Sequence, residues 1–367
     1  MKVPYLDLKS QFCDADLQNR VKSIFNSCQF VMGQEIEEFE KAFAELCGTR
    51  YAIGLNSGTD AIFLGLKALG IGKGDEVITA PNSFIATAGA IVASGAKPVF
   101  ADVKDDYNID PECIKKVITS KTKAIIPVHL TGNMADMPKI MQIASDYNLS
   151  VIEDAAQSVM ADINGRRSGA YGDIGCFSLH PLKNLNVCGD GGMSTTDSEE
   201  IYHKLIQLRN HGLKNRDEID FFGYNSRLDT IQAIVGMKVI ENIEEITKKR
   251  IANARYYDAL LLQMKEFVNI PERNPNHFQV FHTYVVQVER REELISYLAD
   301  HDIETKIHYP IPIHYQKPCL EMGYQRGDFP RCEKQAEHIL TLPVHQYLTT
   351  HQIQYVCETI VKFYKSG

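Results

Sequence analysis

The sequence predicts an α/β fold: a large domain with a mostly parallel sheet flanked by helices, then a smaller C-terminal α+β domain. Two observations lead there. Through the first two-thirds of the 367 residues, short apolar runs alternate with segments whose apolar residues recur at helical spacing, which is the rhythm of βαβ units. Beyond Pro271 that rhythm gives way to a strand and two helices. The expected division is residues 1–245 for the large domain with its N-terminal segment and 246–367 for the small one.

In chain order, YAIGL is a strand leading through Ser57, Gly58 and Thr59 into a helix. EVITAP, KPVFADV and KAIIPVHL are further strands, separated by the helices FIATAGAIVASG and DPECIKKVITS. After the MPKIMQIASDYN helix, LSVIED reads as a buried parallel strand ending at Asp154. GCFSLH and GGMSTT are the later strands, around a loop punctuated by Pro181, Gly189, Gly191 and Gly192. A helix spans about Ser198 to Asn210, and VIENIEEITKKRIANARYYDALLLQM reads as one long helix into the second domain. There FHTYVVQV is a strand, REELISYLADH a helix, and a last helix ends in VKFYKSG. No internal repeat or low-complexity tract interrupts the pattern.

Lys183 lies 29 positions after Asp154. A lysine or an aspartate alone is most often a solvated charge, a cap or an ion-pair member. Here Asp154 stands at the carboxyl end of a parallel strand, where such sheets deliver ligand-contacting residues, and Lys183 occupies the loop between two strands. The pairing suits pyridoxal phosphate: an amine to hold the aldehyde, and a carboxylate to keep the pyridine nitrogen protonated. Upstream, Ser57, Gly58 and Thr59 open a helix whose first-turn N–H groups and positive dipole end can hold a phosphate. Gly58 allows close approach, the two hydroxyls can donate, and Ser178 is a further donor candidate.

These residues sit within twelve segments that, in order, resemble the DegT/StrS family of pyridoxal-phosphate-dependent nucleotide-sugar aminotransferases. The segments include VPYLDL, NSGTDAI, GDEVITAPNSF, EDAAQS, SGAYGDIGCFSLHPLKN, GDGGM, GYNSRLDTIQA, HYPIPIHYQ and LPVH, and the match runs from about Val3 to about His345. The resemblance implies fold type I, similar in architecture to aspartate aminotransferase, and a homodimer with shared active sites. It implies that Lys183 forms the Schiff base, that Asp154 contacts the pyridine nitrogen and Gln157 the ring hydroxyl, and that Phe84 stacks on the ring. Gly58, Thr59 and Ser178 would hold the phosphate, with Asn225 reaching it from the neighbouring subunit. His308, Tyr309 and His314 would border the sugar nucleotide. The implied reaction moves an amino group from L-glutamate to a nucleotide-linked keto sugar, in deoxyamino-sugar biosynthesis, with pyridoxamine phosphate as the carrier form. VPYLDLKSQF resembles the openings of members that aminate carbon 3 rather than carbon 4.

Two departures stand out: Ser158-Val159-Met160 where a His-Gly pair is common after Asp-Ala-Ala-Gln, and Thr131 where many members have tyrosine. Both bear on sugar fit or packing. Three rivals are a sugar dehydratase, a non-catalytic regulator and an amino-acid or small-ketone aminotransferase. The first typically replaces the Schiff-base lysine with histidine, and His180 lies three residues too early. The second conflicts with an intact lysine, aspartate and phosphate cup. The third would want an arginine for its substrate carboxylate, for which Arg227 is a candidate.

Composition agrees. A net charge of −8 without a long basic run argues against nucleic acid as a partner. Nine scattered cysteines with no C-x-x-C pair suggest reduced thiols in a cytoplasmic protein. No signal-peptide h-region or membrane-length apolar stretch is present, and no cysteine–histidine spacing suggests a metal site.

Overall fold

A computed structural model describes residues 1–366. Its centre is a seven-stranded sheet of β1 (Tyr51–Leu55), β2 (Glu76–Thr79), β3 (Lys97–Phe100), β4 (Thr122–Ile126), β5 (Ser150–Asp154), β6 (Ile174–Ser178) and β7 (Gly192–Thr196). The spatial order is β1-β7-β6-β5-β4-β2-β3. Only β7 runs against its neighbours, pairing antiparallel with both β1 and β6, so the other six strands point the same way.

Side chains alternate across a strand, and here they feed two cores. Ala52, Ile78, Ile125 and Val151 face a layer built from Phe39, Phe43, Ile140, Ile143 and Val235. Their strand neighbours Ile53, Val77, Ala124 and Ile152 face Leu64, Leu66, Ile91 and Leu205. A sheet covered on both faces explains why these strands read as unbroken apolar runs. Three N-terminal helices, Leu8–Phe12, Ala15–Ser27 and Gln34–Cys47, precede the sheet. The first two are capped by Asp7 and Asp14, whose carboxylates accept from Ser10 N and Leu17 N.

A separate core forms from residues 254–364 joined by Val3. It backs the antiparallel sheet of β8 (Val268–Asn269), β9 (Tyr284–Val288) and β10 (Ile339–Leu342), with helices Arg291–Asp300 and Thr350–Ser366. Val3 reaches this core through a parallel bridge to Ile303. Among the described residues no helix is long and apolar enough to cross a membrane.

The single long helix expected over residues 239–264 is instead two: Thr230–Ile240 and Ile243–Leu261. Asn242 accounts for the break. Its side-chain amide donates to the Lys238 carbonyl at 3.1 Å, so a side chain takes up an acceptor otherwise used by the helical ladder. Glu244 and Glu245 then occupy the first turn of the new helix, where its dipole favours negative charge.

Glu40 and Arg209 form a buried pair that ties three elements together: Glu40 accepts from Arg209 Nη1 and from Gly54 N, and Arg209 also donates to the Gly54 carbonyl. Removing one member strands the other charge in the interior. Arg209→Met is expected to lower stability by about 3–5 kcal/mol, measured as a lower urea midpoint, whereas replacing both residues by apolar ones restores much of the loss.

Candidate active site

The carboxyl ends of the parallel strands and the loops that follow them open onto a cleft of about 390 Å³. Ten residues singled out from sequence line it: Ser57, Gly58, Thr59, Phe84, Asp154, Gln157, Ser178, Lys183, His308 and Tyr309. Strand order explains the convergence, because β5 and β6 are adjacent and β1 is separated from β6 only by β7.

Asp154 is the last residue of β5 and only 5% exposed. Its backbone is fixed on both sides, with its N–H donating to Pro127 O and its carbonyl accepting from His129 N. The carboxylate receives Thr87 Oγ1 on Oδ2 at 2.6 Å and Ala156 N on Oδ1 at 3.2 Å. Burial pushes its pKa up, and the Thr87 hydrogen bond is the largest of the influences opposing that rise.

Lys183 is held by its backbone. Its N–H donates to His180 O at 2.9 Å and its carbonyl accepts from Asn186 Nδ2 at 2.9 Å; Asn186 also donates to Pro181 O. The half-buried ammonium has its pKa pushed down to about 8 by desolvation, with the Asp154 carboxylate acting in the opposite direction. The two charges therefore sense one another within a single cleft.

The segment expected to hold a phosphate is the start of the Gly58–Ala68 helix, where Ser57 Oγ caps Asp60 N at 3.1 Å. A Cβ on Gly58 would stand 2.8 Å from Ser178 Cβ and 2.9 Å from Ser178 Cα. Glycine is what lets the helix start and the end of β6 close on each other. Gly192 plays the same part at the start of β7, where a Cβ would meet the Ser57 carbonyl at 2.2 Å.

The opposite wall is aromatic. Phe84, 55% exposed, precedes the Ile85–Ser94 helix, and its ring lies 5.7 Å from that of Tyr309. Gln157 accepts from Thr131 N at 2.8 Å and donates to Tyr309 Oη at 3.4 Å. His308 stacks on Tyr5 with ring centres 5.9 Å apart and pairs through Nδ1 with Thr341 Oγ1 at 3.0 Å. Burial, followed by the charges of Lys183 and Lys306, holds its pKa down at about 4, so the ring is neutral at physiological pH.

Two of the expected residues are elsewhere. His314 is fully buried against Phe329 and hydrogen-bonds Glu333 Oε1 at 3.0 Å; a carboxylate that also receives Gly327 N and Phe329 N draws it into the core. The expectation of a substrate contact there gives way to a packing role. Asn225 is exposed, in a bridge with Asn210, and does not line this chain's cleft. Thr131 and Met160 are buried residues with positive φ, and neither lines the cleft. Sequence reasoning missed Thr87, Tyr5 and His282, all of which line the cleft. For Thr87 a signal existed, since it lies three residues after Phe84 on the same helical turn.

An amine and a buried carboxylate in one cleft, with a helix-start cup and an aromatic wall, fit pyridoxal phosphate on a fold type I scaffold. Asp154 bears on that fit directly: it is buried without an ion-pair partner within bonding distance among the described residues, as suits a carboxylate that receives a protonated ring. The sequence matches the DegT/DnrJ/EryC1/StrS aminotransferase family over residues 12–361, and the chain belongs to that family. It is 39% identical over 369 residues to a pleiotropic regulatory protein of Geobacillus stearothermophilus, covering 100% of this chain and 99% of the relative. It is also 39% identical over 361 residues to the UDP-N-acetyl-3-dehydro-alpha-D-glucosamine 3-aminotransferase of Acidithiobacillus ferrooxidans, covering 98% and 97%. The structure of S. venezuelae DesV in complex with a ketimine intermediate superposes with a TM-score of 0.96 at 36% identity, covering 99% of this chain and 98% of that one. NtdA from Bacillus subtilis with bound PMP gives 0.92 at 36% identity, covering 99% and 85%. The protein is a pyridoxal-phosphate-dependent aminotransferase of fold type I.

The lowered Lys183 pKa has a kinetic consequence. Only the neutral amine attacks an aldehyde, so cofactor-free protein is expected to take up pyridoxal phosphate at a rate that rises with pH and levels off above about 8. A stopped-flow absorbance series across pH checks this; a midpoint near the ordinary lysine value of 10.5 would contradict it.

Proposed function

We propose that the enzyme moves the amino group of L-glutamate to carbon 3 of a nucleotide-linked keto sugar, in deoxyamino-sugar biosynthesis. The observation that carries this reading is the intact Lys183–Asp154 pair in a cleft walled by Phe84, His308 and Tyr309. The name of the Acidithiobacillus relative, a 3-aminotransferase acting on a UDP-linked sugar, supports the position. The name of the Geobacillus relative suits a regulator instead, but a lysine with a pKa lowered to about 8 beside a buried carboxylate is a reactive arrangement.

In this reading Asp154 pairs with the pyridine nitrogen, Gln157 with the ring hydroxyl, and Phe84 covers the ring face. Gly58, Thr59 and Ser178 hold the phosphate at the helix start. The bound cofactor supplies an aldehyde that carries the amino group and a ring that delocalises the electrons left by deprotonation. Lys183 Nζ would hold the cofactor's aldehyde and, when free, would be the base that takes the α-proton of glutamate and the acid that gives a proton back. After 2-oxoglutarate leaves, the same amine moves protons in the reverse sense at the sugar carbon. His308 and Tyr309 border the sugar nucleotide, and a neutral His308 adds no second cation beside Lys183.

The reading includes a homodimer with shared sites. The segment that leads to Asn225 carries Ile219, Phe222 and Tyr224, which are 48%, 91% and 38% exposed, side chains suited to meeting a second copy whose cofactor phosphate Asn225 would reach. We also read the two domains as meeting within the Ile243–Leu261 helix, and the free state of all nine cysteines supports a cytoplasmic setting.

Incubation with glutamate and matched 3-keto and 4-keto nucleotide sugars tests the function. Turnover of the 3-keto substrate is expected to exceed that of the 4-keto by about tenfold or more, because moving the ketone re-aims every hydroxyl and leaves polar groups unpaired. Lys183→Ala should abolish product while remaining folded. Better turnover of the 4-keto sugars would reassign the carbon; absence of amino sugar from any of them would remove the sugar reading.

Mixing inactive Lys183→Ala chains with cofactor-impaired Asn225→Ala chains tests the shared site. Heterodimers should regain activity that neither parent has, since one of their two sites is then undamaged. No recovery in verified heterodimers, with Asn225→Ala inactive on its own, assigns Asn225 to its own subunit.

A further inference from the structure

Thr87 and Ser83 are both buried, at 0% and 4% exposure, in a helix start whose exposed residues are Phe84 and Ile85. Thr87 Oγ1 lies 2.6 Å from Asp154 Oδ2, and Ser83 Oγ lies 2.8 Å from Thr87 Oγ1. A hydroxyl has one hydrogen. The Thr87 hydrogen is taken by the carboxylate, the shorter and charge-assisted bond, in preference to the Phe84 carbonyl at 3.4 Å. Ser83 must therefore donate to Thr87. The proton order is fixed as Ser83 to Thr87 to Asp154, and with Ala156 N on the other oxygen it fixes the plane of the carboxylate.

We propose that Thr87, supported by Ser83, is the positioning residue that holds Asp154 ionised and aimed at the ring nitrogen of the cofactor. This rests on the reading that Asp154 meets that nitrogen. The Ser83–Thr87 turn also carries Phe84, so one short segment sets both the contact on the ring's face and the carboxylate at its edge. Burial alone favours the neutral acid, which cannot keep the ring nitrogen protonated; the hydroxyl counters that tendency. Thr87 N donates to Phe84 O at 3.3 Å, which locks the turn that spaces the two functions.

The test uses the cofactor-loaded enzyme with Thr87→Val, which removes the hydroxyl at nearly constant volume, and Thr87→Ser, which keeps it. Loss of positive charge on the ring makes the nitrogen of Lys183 bonded to the cofactor easier to protonate. The pH midpoint of the bound cofactor's absorption band is therefore expected to rise by about half a unit or more in Thr87→Val, with cofactor affinity falling about tenfold, the scale of a lost hydrogen bond to a charged group. The kcat should fall while the KM for glutamate and for sugar stays within about twofold, because neither substrate loses a contact. Thr87→Ser should return all three readouts towards wild type. If Thr87→Val does not fold, Ser83→Ala serves instead, with a smaller shift of the same sign. An unchanged midpoint and affinity in a folded Thr87→Val or Ser83→Ala protein overturns the proposal. Borohydride fixation of the cofactor at Lys183 and an activity loss in Asp154→Asn are scored in parallel: if those fail, the underlying reading fails, and if they hold, only the role of Thr87 falls.

Discussion

A carboxylate buried at the end of a central strand is the constraint around which this protein is arranged. Taking Asp154 out of water is costly, and the cost is offset by a threonine hydroxyl, a backbone N–H and the charge of Lys183 rather than by a tight ion pair. Each of these comes from a different segment: the helix after β2, the turn after β5 and the loop after β6. The same burial works in opposite directions on the two partners, favouring the neutral acid and the neutral amine. Their mutual attraction opposes both shifts, so a charged ring entering the cleft meets a carboxylate that already has a reason to stay ionised.

Around that pair distant parts of the chain line one cleft. Residues 57–183 supply the helix start at Gly58, the carboxylate and the lysine. Tyr5, His308 and Tyr309 come from the two sequence extremes flanking them. Tyr309 meets Phe84 and Gln157 across the cleft, with ring centres 5.7 Å apart and Gln157 Nε2 donating to Tyr309 Oη at 3.4 Å. Thr131, one of the departures from the common family pattern, touches this boundary through Gln157.

How legible the molecule was in its sequence follows from which forces are local. The strand–helix alternation and the strand-end position of Asp154 came through because periodicity and turn residues are written in consecutive positions. The helix start at Ser57-Gly58-Thr59 was legible for the same reason, since it is a local feature. The break at Asn242 was not, because a charged amphipathic stretch masks one side chain turning back onto its own backbone. His314 looked like a site residue because it belongs to the same segment as His308 and Tyr309. Glu333, nineteen positions away, pulls it inward, and such a partner is invisible from spacing. Thr87 escaped notice because its importance lies in a contact with a residue 67 positions further on.

The bridge between Val3 and Ile303 has a consequence for how the chain assembles during its synthesis. Emerging amino end first, the ribosome-bound chain can close the core between Ile53 and Leu208 on one face of the central sheet before residues beyond 208 are made, whereas the core on the other face also needs Val280, Ile313 and Phe329. Val3 has nowhere to dock until residue 303 is outside the ribosome, and Tyr5, two residues on, cannot stack against His308 before then. Such distant pairing is slow to form because a long loop must close first. Val3 and Tyr5 therefore take their places only after residues some three hundred positions further along the chain have been made, and the part of the cleft wall that Tyr5 builds is completed no earlier.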